Sequence, residues 1–173
     1  MKKNVESPKA YILVIDDDLL LRKTLKNILE REGYFVDLAQ DGREGIAKAK
    51  SGFFHLVLCD IRMPGLDGLM TIHHIQKFQD RAGIGKSGFV VITAYDAPES
   101  RQTAFQLGVS DFVMKPFDLE SFLAGIHRHM DQAVAATPLE EVRALNRRLE
   151  RLLAMEKGRP VPVEDDDEPP PAA

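Results

Sequence analysis

Residues 55–66 read His-Leu-Val-Leu-Cys-Asp-Ile-Arg-Met-Pro-Gly-Leu. Leu56, Val57, Leu58 and Cys59 form a short apolar run, which suits a strand buried on both faces. The run stops at Asp60. Met63-Pro64-Gly65 then signals a turn, because proline sets φ and glycine supplies positive φ. Asp60 is therefore expected at the carboxyl end of an inner strand, where open α/β sheets bind their ligands. Read alone, Asp60 serves equally well as the cap of the turn that follows. The other strand ends decide between the two readings.

Upstream, Tyr11–Ile15 is a second buried strand and ends in Asp16-Asp17-Asp18. Leu21, Leu25, Ile28 and Leu29 recur at helical spacing, and Gly33 stops that helix. Tyr34–Ala39 reads as a weaker strand interrupted by Asp37, and Asp41-Gly42 opens a short helix through Lys50. Downstream, Asp67 caps a helix carrying Leu69, Ile72 and Ile75. Gly88–Thr93 is a further strand, Pro98 starts a helix that Gly108 ends, and Asp111–Met114 is a last strand closed by Lys115-Pro116. Leu119, Phe122, Leu123, Ile126 and Met130 stripe a fifth helix. Five strands alternating with five helices predict an α/β fold: a doubly wound, five-stranded parallel sheet with both faces covered.

Composition bounds the partners. Hydrophobic residues make up 44% of the 173 and charged residues 29%, the balance of a globular chain with room for a core. A net charge of -4 gives no basic footprint for nucleic acid. No run approaches the ~18 apolar residues of a membrane span. Cys59 is the only cysteine, so it reads as a small core hydrophobe and no internal disulfide can form. No signal peptide is legible either, and a cytoplasmic protein is expected.

The strand ends bring the chemistry together. Asp16 and Asp17 follow the first strand, Asp60 the third, Thr93 ends the fourth, and Lys115 follows the fifth. In a sheet of order 2-1-3-4-5, strands 1, 3, 4 and 5 are contiguous and the crevice falls at the 1/3 switch point. One acidic cluster, one hydroxyl and one ammonium would meet in a shallow pocket.

From about Tyr11 to Met130 the chain resembles the receiver domain of bacterial two-component response regulators. The motifs that carry the resemblance are Ile-Leu-Val-Ile-Asp-Asp-Asp, Leu-Cys-Asp-Ile-Arg-Met-Pro-Gly-Leu-Asp-Gly, Val-Ile-Thr-Ala and Gly-Val-Ser-Asp-Phe-Val-Met-Lys-Pro-Phe, in that order. The resemblance implies that Asp60 accepts a phosphoryl group from a histidine kinase or phosphotransfer protein. It implies Mg²⁺ held by Asp16, Asp17, Asp60 and the backbone carbonyl of Arg62, with Lys115 and Thr93 on the phosphoryl oxygens. Thr93 and Phe112 take the switch positions, and Phe112 lacks the hydroxyl of the tyrosine often found there. The chemistry agrees: a carboxylate can attack phosphorus, and clustered carboxylates repel that group unless a divalent cation intervenes.

Two other functions compete. A metal-dependent phosphohydrolase with an aspartyl nucleophile would carry a second Asp two residues on, where this chain has Arg62. A phosphorelay intermediate without an output of its own would share every motif. Other signals are weaker. Gly83-Ile-Gly85-Lys86-Ser87 imitates the end of a phosphate-binding loop, but its first glycine would fall at Asp80 and the segment precedes a strand. His73-His74 and His127-x-His129 lack the i, i+4 spacing of a two-histidine helical metal site. Arg62 and Tyr95, two residues after Asp60 and Thr93, are bulky and predict a long-lived phosphoryl group.

The chain divides into a flexible segment at 1–9, a receiver at 10–133, an amphipathic helix at 138–156 and a disordered acidic, proline-rich tail at 157–173. Val142, Leu145, Leu149 and Leu152 make a two-heptad seam, shorter than a secure coiled coil needs. A helix this short is marginal in water, so the stripe needs a partner. A homodimer is the expected answer, with docking onto the receiver's own fourth and fifth helices as the alternative. Output then runs through protein–protein contact with a downstream partner.

Overall fold

The computed structural model describes residues 9–156. Residues 1–8 and the expected disordered tail at 157–173 lie outside the described residues. The element order is β1 (Tyr11–Ile15), α1 (Leu19–Arg31), β2 (Phe35–Ala39), α2 (Gly42–Ser51), β3 (Leu56–Cys59), α3 (Gly68–Ala82), β4 (Gly88–Thr93), α4 (Pro98–Gln106), β5 (Asp111–Met114), α5 (Leu119–Ala136) and α6 (Leu139–Glu156). The strands are parallel and ordered β2-β1-β3-β4-β5, the predicted doubly wound sheet.

Side chains alternate across each strand, so one sheet feeds two cores. Leu13, Ile15, Val57, Cys59, Phe89 and Val91 face Ala49 of α2, Ile72 and Ile75 of α3 and Ala104 of α4. Ile12, Val14, Leu56, Leu58, Val90 and Ile92 face Leu25 and Leu29 of α1 and Phe122, Ile126 and Met130 of α5. Burial on both faces explains why the inner strands read as continuous apolar runs.

The helix boundaries follow from capping. Asp18, Asp41, Asp67 and Asp118 each accept backbone N–H groups of the first turn. The short α4 has no side-chain cap and starts on Pro98. Asp37 does not interrupt β2; it pairs with Lys48 of α2 at 2.7 Å, which satisfies its charge at the sheet edge.

The extension departs most from expectation. α5 runs on to Ala136, and after Thr137-Pro138 the chain turns into α6, which lies across the amino-terminal end of the sheet and against α2. The stripe expected to recruit a second copy is occupied within the chain: Val142 is 0% and Leu149 5% exposed, while Leu152 stays open to solvent. The alternative seat on the fourth and fifth helices is not the one used. Polar groups decide the location. Asn146 Oδ1 accepts the Phe53 N–H. His55, 1% exposed, takes the Tyr11 N–H on Nδ1 at 3.1 Å, and its Nε2 lies 3.1 Å from the Thr137 carbonyl. Because Nδ1 accepts, Nε2 carries the proton and donates to Thr137. Neither partner exists at the fourth and fifth helices.

Candidate functional site

Strand register sets the site. Ile15 pairs with Cys59, so the next residues, Asp16 and Asp60, emerge side by side, and the Asp60 N–H donates to the Ile15 carbonyl at 2.9 Å. Thr93 pairs with Met114, and the Lys115 N–H donates to the Thr93 carbonyl at 2.9 Å. The Lys115–Pro116 peptide is cis.

Two of the carboxylates are withdrawn from solvent, Asp16 at 3% and Asp60 at 7% exposure, while Asp17 is exposed. Lys115 Nζ bridges the buried pair, 2.7 Å from Asp16 Oδ2 and 3.3 Å from Asp60 Oδ2. Burial raises the Asp16 carboxyl above its ordinary value, against the lowering effect of Lys115 and of the Asp18 N–H. Burial alone would lower Lys115, but its hydrogen bond and charge interactions with Asp16, then Asp60, outweigh that and raise it. One ammonium thus answers two buried carboxylates and leaves the pocket short of positive charge.

Asp16, Asp17 and Asp60 each offer an oxygen within 4.8 Å of the others, the one such group among the described residues. An all-oxygen donor set of carboxylates, one of them open to water, fits Mg²⁺, which keeps several waters. The Arg62 N–H lies 3.3 Å from Asp60 Oδ1, so the backbone of Arg62 passes alongside the carboxylate. Asp18 accepts two N–H groups of α1 and acts as its cap, apart from the cluster. Thr93 is 1% exposed, and its Oγ1 accepts the Tyr95 N–H at 3.2 Å. Phe112 is half-buried in β5, and Arg101 Cζ lies 4.5 Å from its ring centre.

Close approach of the backbone also shapes the pocket. A Cβ on Gly68 would fall 2.0 Å from the Asp60 carbonyl oxygen, so only glycine admits the start of α3 here. The Arg62 guanidinium stacks on Tyr95, with Cζ 3.5 Å from the ring centre. That is cation–π geometry, and it joins the loops after β3 and β4.

Arg22 escaped the sequence reading. It is 8% exposed and donates to the Asp16 carbonyl from the first turns of α1. A cation there opposes the helix dipole, and that misfit was the available signal. The four helical histidines hold no shared site: His127 pairs with Glu32 and His129 with Asp111, each at 3.0 Å. Residues 83–87 form a loop whose Ser87 Oγ donates to the Phe54 carbonyl, with no phosphate cradle.

Comparison with known proteins agrees with this geometry. The family model of the response regulator receiver domain matches residues 12–127. The chain is 35% identical over 112 residues to the transcriptional regulatory protein ResD of Bacillus subtilis, covering 65% of this chain and 44% of ResD. It is 33% identical over 124 residues to the uncharacterized transcriptional regulatory protein YkoG of the same organism, covering 72% and 52%. The chain therefore spans about half the length of the curated relatives it matches. Among solved structures, a CheY-like receiver domain protein from Methanospirillum hungatei superposes with a TM-score of 0.65 at 31% identity, covering 72% of this chain and 95% of that one. TrrA of Thermotoga maritima, solved in complex with Mg²⁺-BeF, gives 0.60 at 31% identity, covering 69% and 98%. The chain belongs to the response regulator receiver family of two-component signalling systems.

Proposed function

We propose that this receiver takes a phosphoryl group onto Asp60 from a phosphohistidine of a histidine kinase or phosphotransfer protein and promotes that transfer itself. The observation that carries the reading is the pairing of two buried carboxylates on one lysine at the switch point of the sheet, with Thr93 beside them. An Asp60 oxygen attacks phosphorus, the O–P bond forms, and the N–P bond breaks with its electron pair left on the imidazole. Lys115 then moves from bridging carboxylates to holding phosphoryl oxygens as a point charge, and the Thr93 hydroxyl turns to donate to another. Asp16, Asp17, Asp60 and the Arg62 carbonyl would hold Mg²⁺, which when bound neutralises the charge shared between phosphoryl group and carboxylates. Phe112 reports the Thr93 movement by burial of its ring, here against the pull of Arg101.

Hydrolysis of the acyl phosphate needs a water opposite the Asp60 oxygen. The stacked Arg62–Tyr95 pair offers no carboxylate or amide to orient that water, which supports a long-lived phosphoryl group. Arg62 also argues against a phosphohydrolase, since an acid/base carboxylate would be needed at its position. Output in the cytoplasm runs through contact with a downstream protein. Self-association enters this scheme through the receiver face around α5, because the α6 stripe is already occupied.

Acetyl phosphate with Mg²⁺ tests the reading. Intact-mass analysis should show one phosphoryl group per chain, lost in Asp60→Ala and strongly reduced in Asp17→Ala. Label that survives Asp60→Ala would overturn the assignment. A half-life of seconds, unchanged when Arg62 and Tyr95 are both replaced by small residues, would overturn the role of the stack.

A further inference from the structure

On the side of the sheet away from α1 and α5, α2 and α3 enclose a groove of about 480 Å³ that the receiver chemistry does not use. Arg43 and Lys50 reach it from one face of α2, and Lys77 and Arg81 from one face of α3, over a floor that includes Ile46 and Phe78. No Asp or Glu lines it. Lys26, Lys48, Lys86, Arg101, Lys115 and Arg128 all pair with acids. Among the described residues, Arg43, Lys50, Lys77 and Arg81 pair with none. Four uncompensated cations over an apolar floor form a seat for an anionic segment with apolar flanks.

We propose that the occupant is this chain's own acidic segment Glu164-Asp165-Asp166-Asp167-Glu168. Five acids answer four cations. The reach is sufficient. Asn146 of α6 is bonded to Phe53, three residues past Lys50. From Asn146 to Glu156 the helix advances about 15 Å. Residues 157–163 then span up to about 23 Å when extended, enough to turn back to Lys50 and the groove mouth. Each exposed ion pair contributes little, so the contact depends on several charges acting together and is sensitive to salt. The inference is independent of the phosphoryl-transfer reading.

Carbodiimide coupling of the full chain tests it, since this zero-length reagent links only carboxylates and amines in contact. In an equal mixture of ¹⁴N- and ¹⁵N-labelled chains, peptide mapping should show residues 164–168 joined to Lys50 or Lys77, with both peptides carrying the same label. Arg43→Glu with Arg81→Glu keeps both reporter lysines, and the yield should fall at least about threefold, as it should in wild type at about 0.5 M salt. Acetyl-phosphate labelling should be unchanged in that variant, which shows that it folds. Links chiefly to Lys23 or Lys86, a yield indifferent to the double variant, or a majority of mixed-label links, which would make a second copy the occupant, would each overturn the proposal.

Discussion

Replacing Lys115 by methionine keeps the apolar stem and removes the cation that bridges Asp16 and Asp60. In the wild-type site Nζ lies 2.7 and 3.3 Å from the two carboxylates, whose side chains are 4% and 9% exposed. Breaking a buried pair in this way typically costs about 3–5 kcal/mol, because it leaves a charge without compensation. A ceiling comes from protonation. Burial has already raised Asp16, so it is the carboxyl that would take up a proton. Neutralising it at pH 7 against its ordinary value of 3.8 spans 3.2 pH units, about 4.4 kcal/mol at about 1.36 kcal/mol each. The expected loss at pH 7 is therefore about 2–4 kcal/mol. At about pH 5 the ceiling falls to about 1.6 kcal/mol, so the penalty should shrink as the solution is acidified. Mg²⁺ should stabilise Lys115→Met more than wild type, since a cation among the three carboxylates takes over the neutralisation. Urea unfolding at both pH values, with and without Mg²⁺, measures all of this. A loss at pH 7 below about 1 kcal/mol, or one of equal size at both pH values, would refute the reasoning.

Other expectations follow from particular contacts. Gly68→Ala drives a Cβ into the Asp60 carbonyl and should cost about 1–3 kcal/mol while slowing acetyl-phosphate labelling. Gly125→Ala, whose Cβ would meet nothing closer than 3.9 Å in α5, should instead stabilise by about 0.5–1 kcal/mol, so the two alanines separate in one unfolding experiment. Leu149→Ala should cost about 2–3 kcal/mol of α6 docking, seen as roughly 30- to 150-fold faster amide exchange in α6 with the β-sheet amides unchanged. Burial lowers the His55 pKa below 6.5, against the raising effect of the Thr137 carbonyl. The unfolded chain then binds the extra proton, so this contribution is complete above about pH 6.5 and is lost as pH falls through the lowered folded value. Protection of α6 should drop between about pH 7 and pH 5 after correction for intrinsic exchange, and the drop should vanish in His55→Asn.

What the amino-acid sequence determined by itself is the sheet and the residues along its carboxyl edge. Strands buried on both faces must be runs of apolar residues, and such runs in Tyr11–Ile15, Leu56–Cys59 and Gly88–Thr93 end at the polar residues of the site. Once the strand order is known, a parallel register leaves those ends no choice but to meet, so Asp16, Asp60, Thr93 and Lys115 were legible together. Gly33, Asp41 and Asp67 were legible for a similar reason, because each satisfies a requirement local to its own turn. Arg22, the Arg62–Tyr95 stack and the route of α6 were not. The stripe of Val142, Leu145 and Leu149 shows that α6 needs an apolar partner, but an apolar stripe carries no address. The address lies in His55, Asn146 and the Phe53 N–H, which come from segments up to 93 residues apart and make hydrogen bonds only after the sheet has formed. Local periodicity specifies a face, whereas the choice among surfaces able to cover it rests on buried polar groups, and those find their partners only in the tertiary structure.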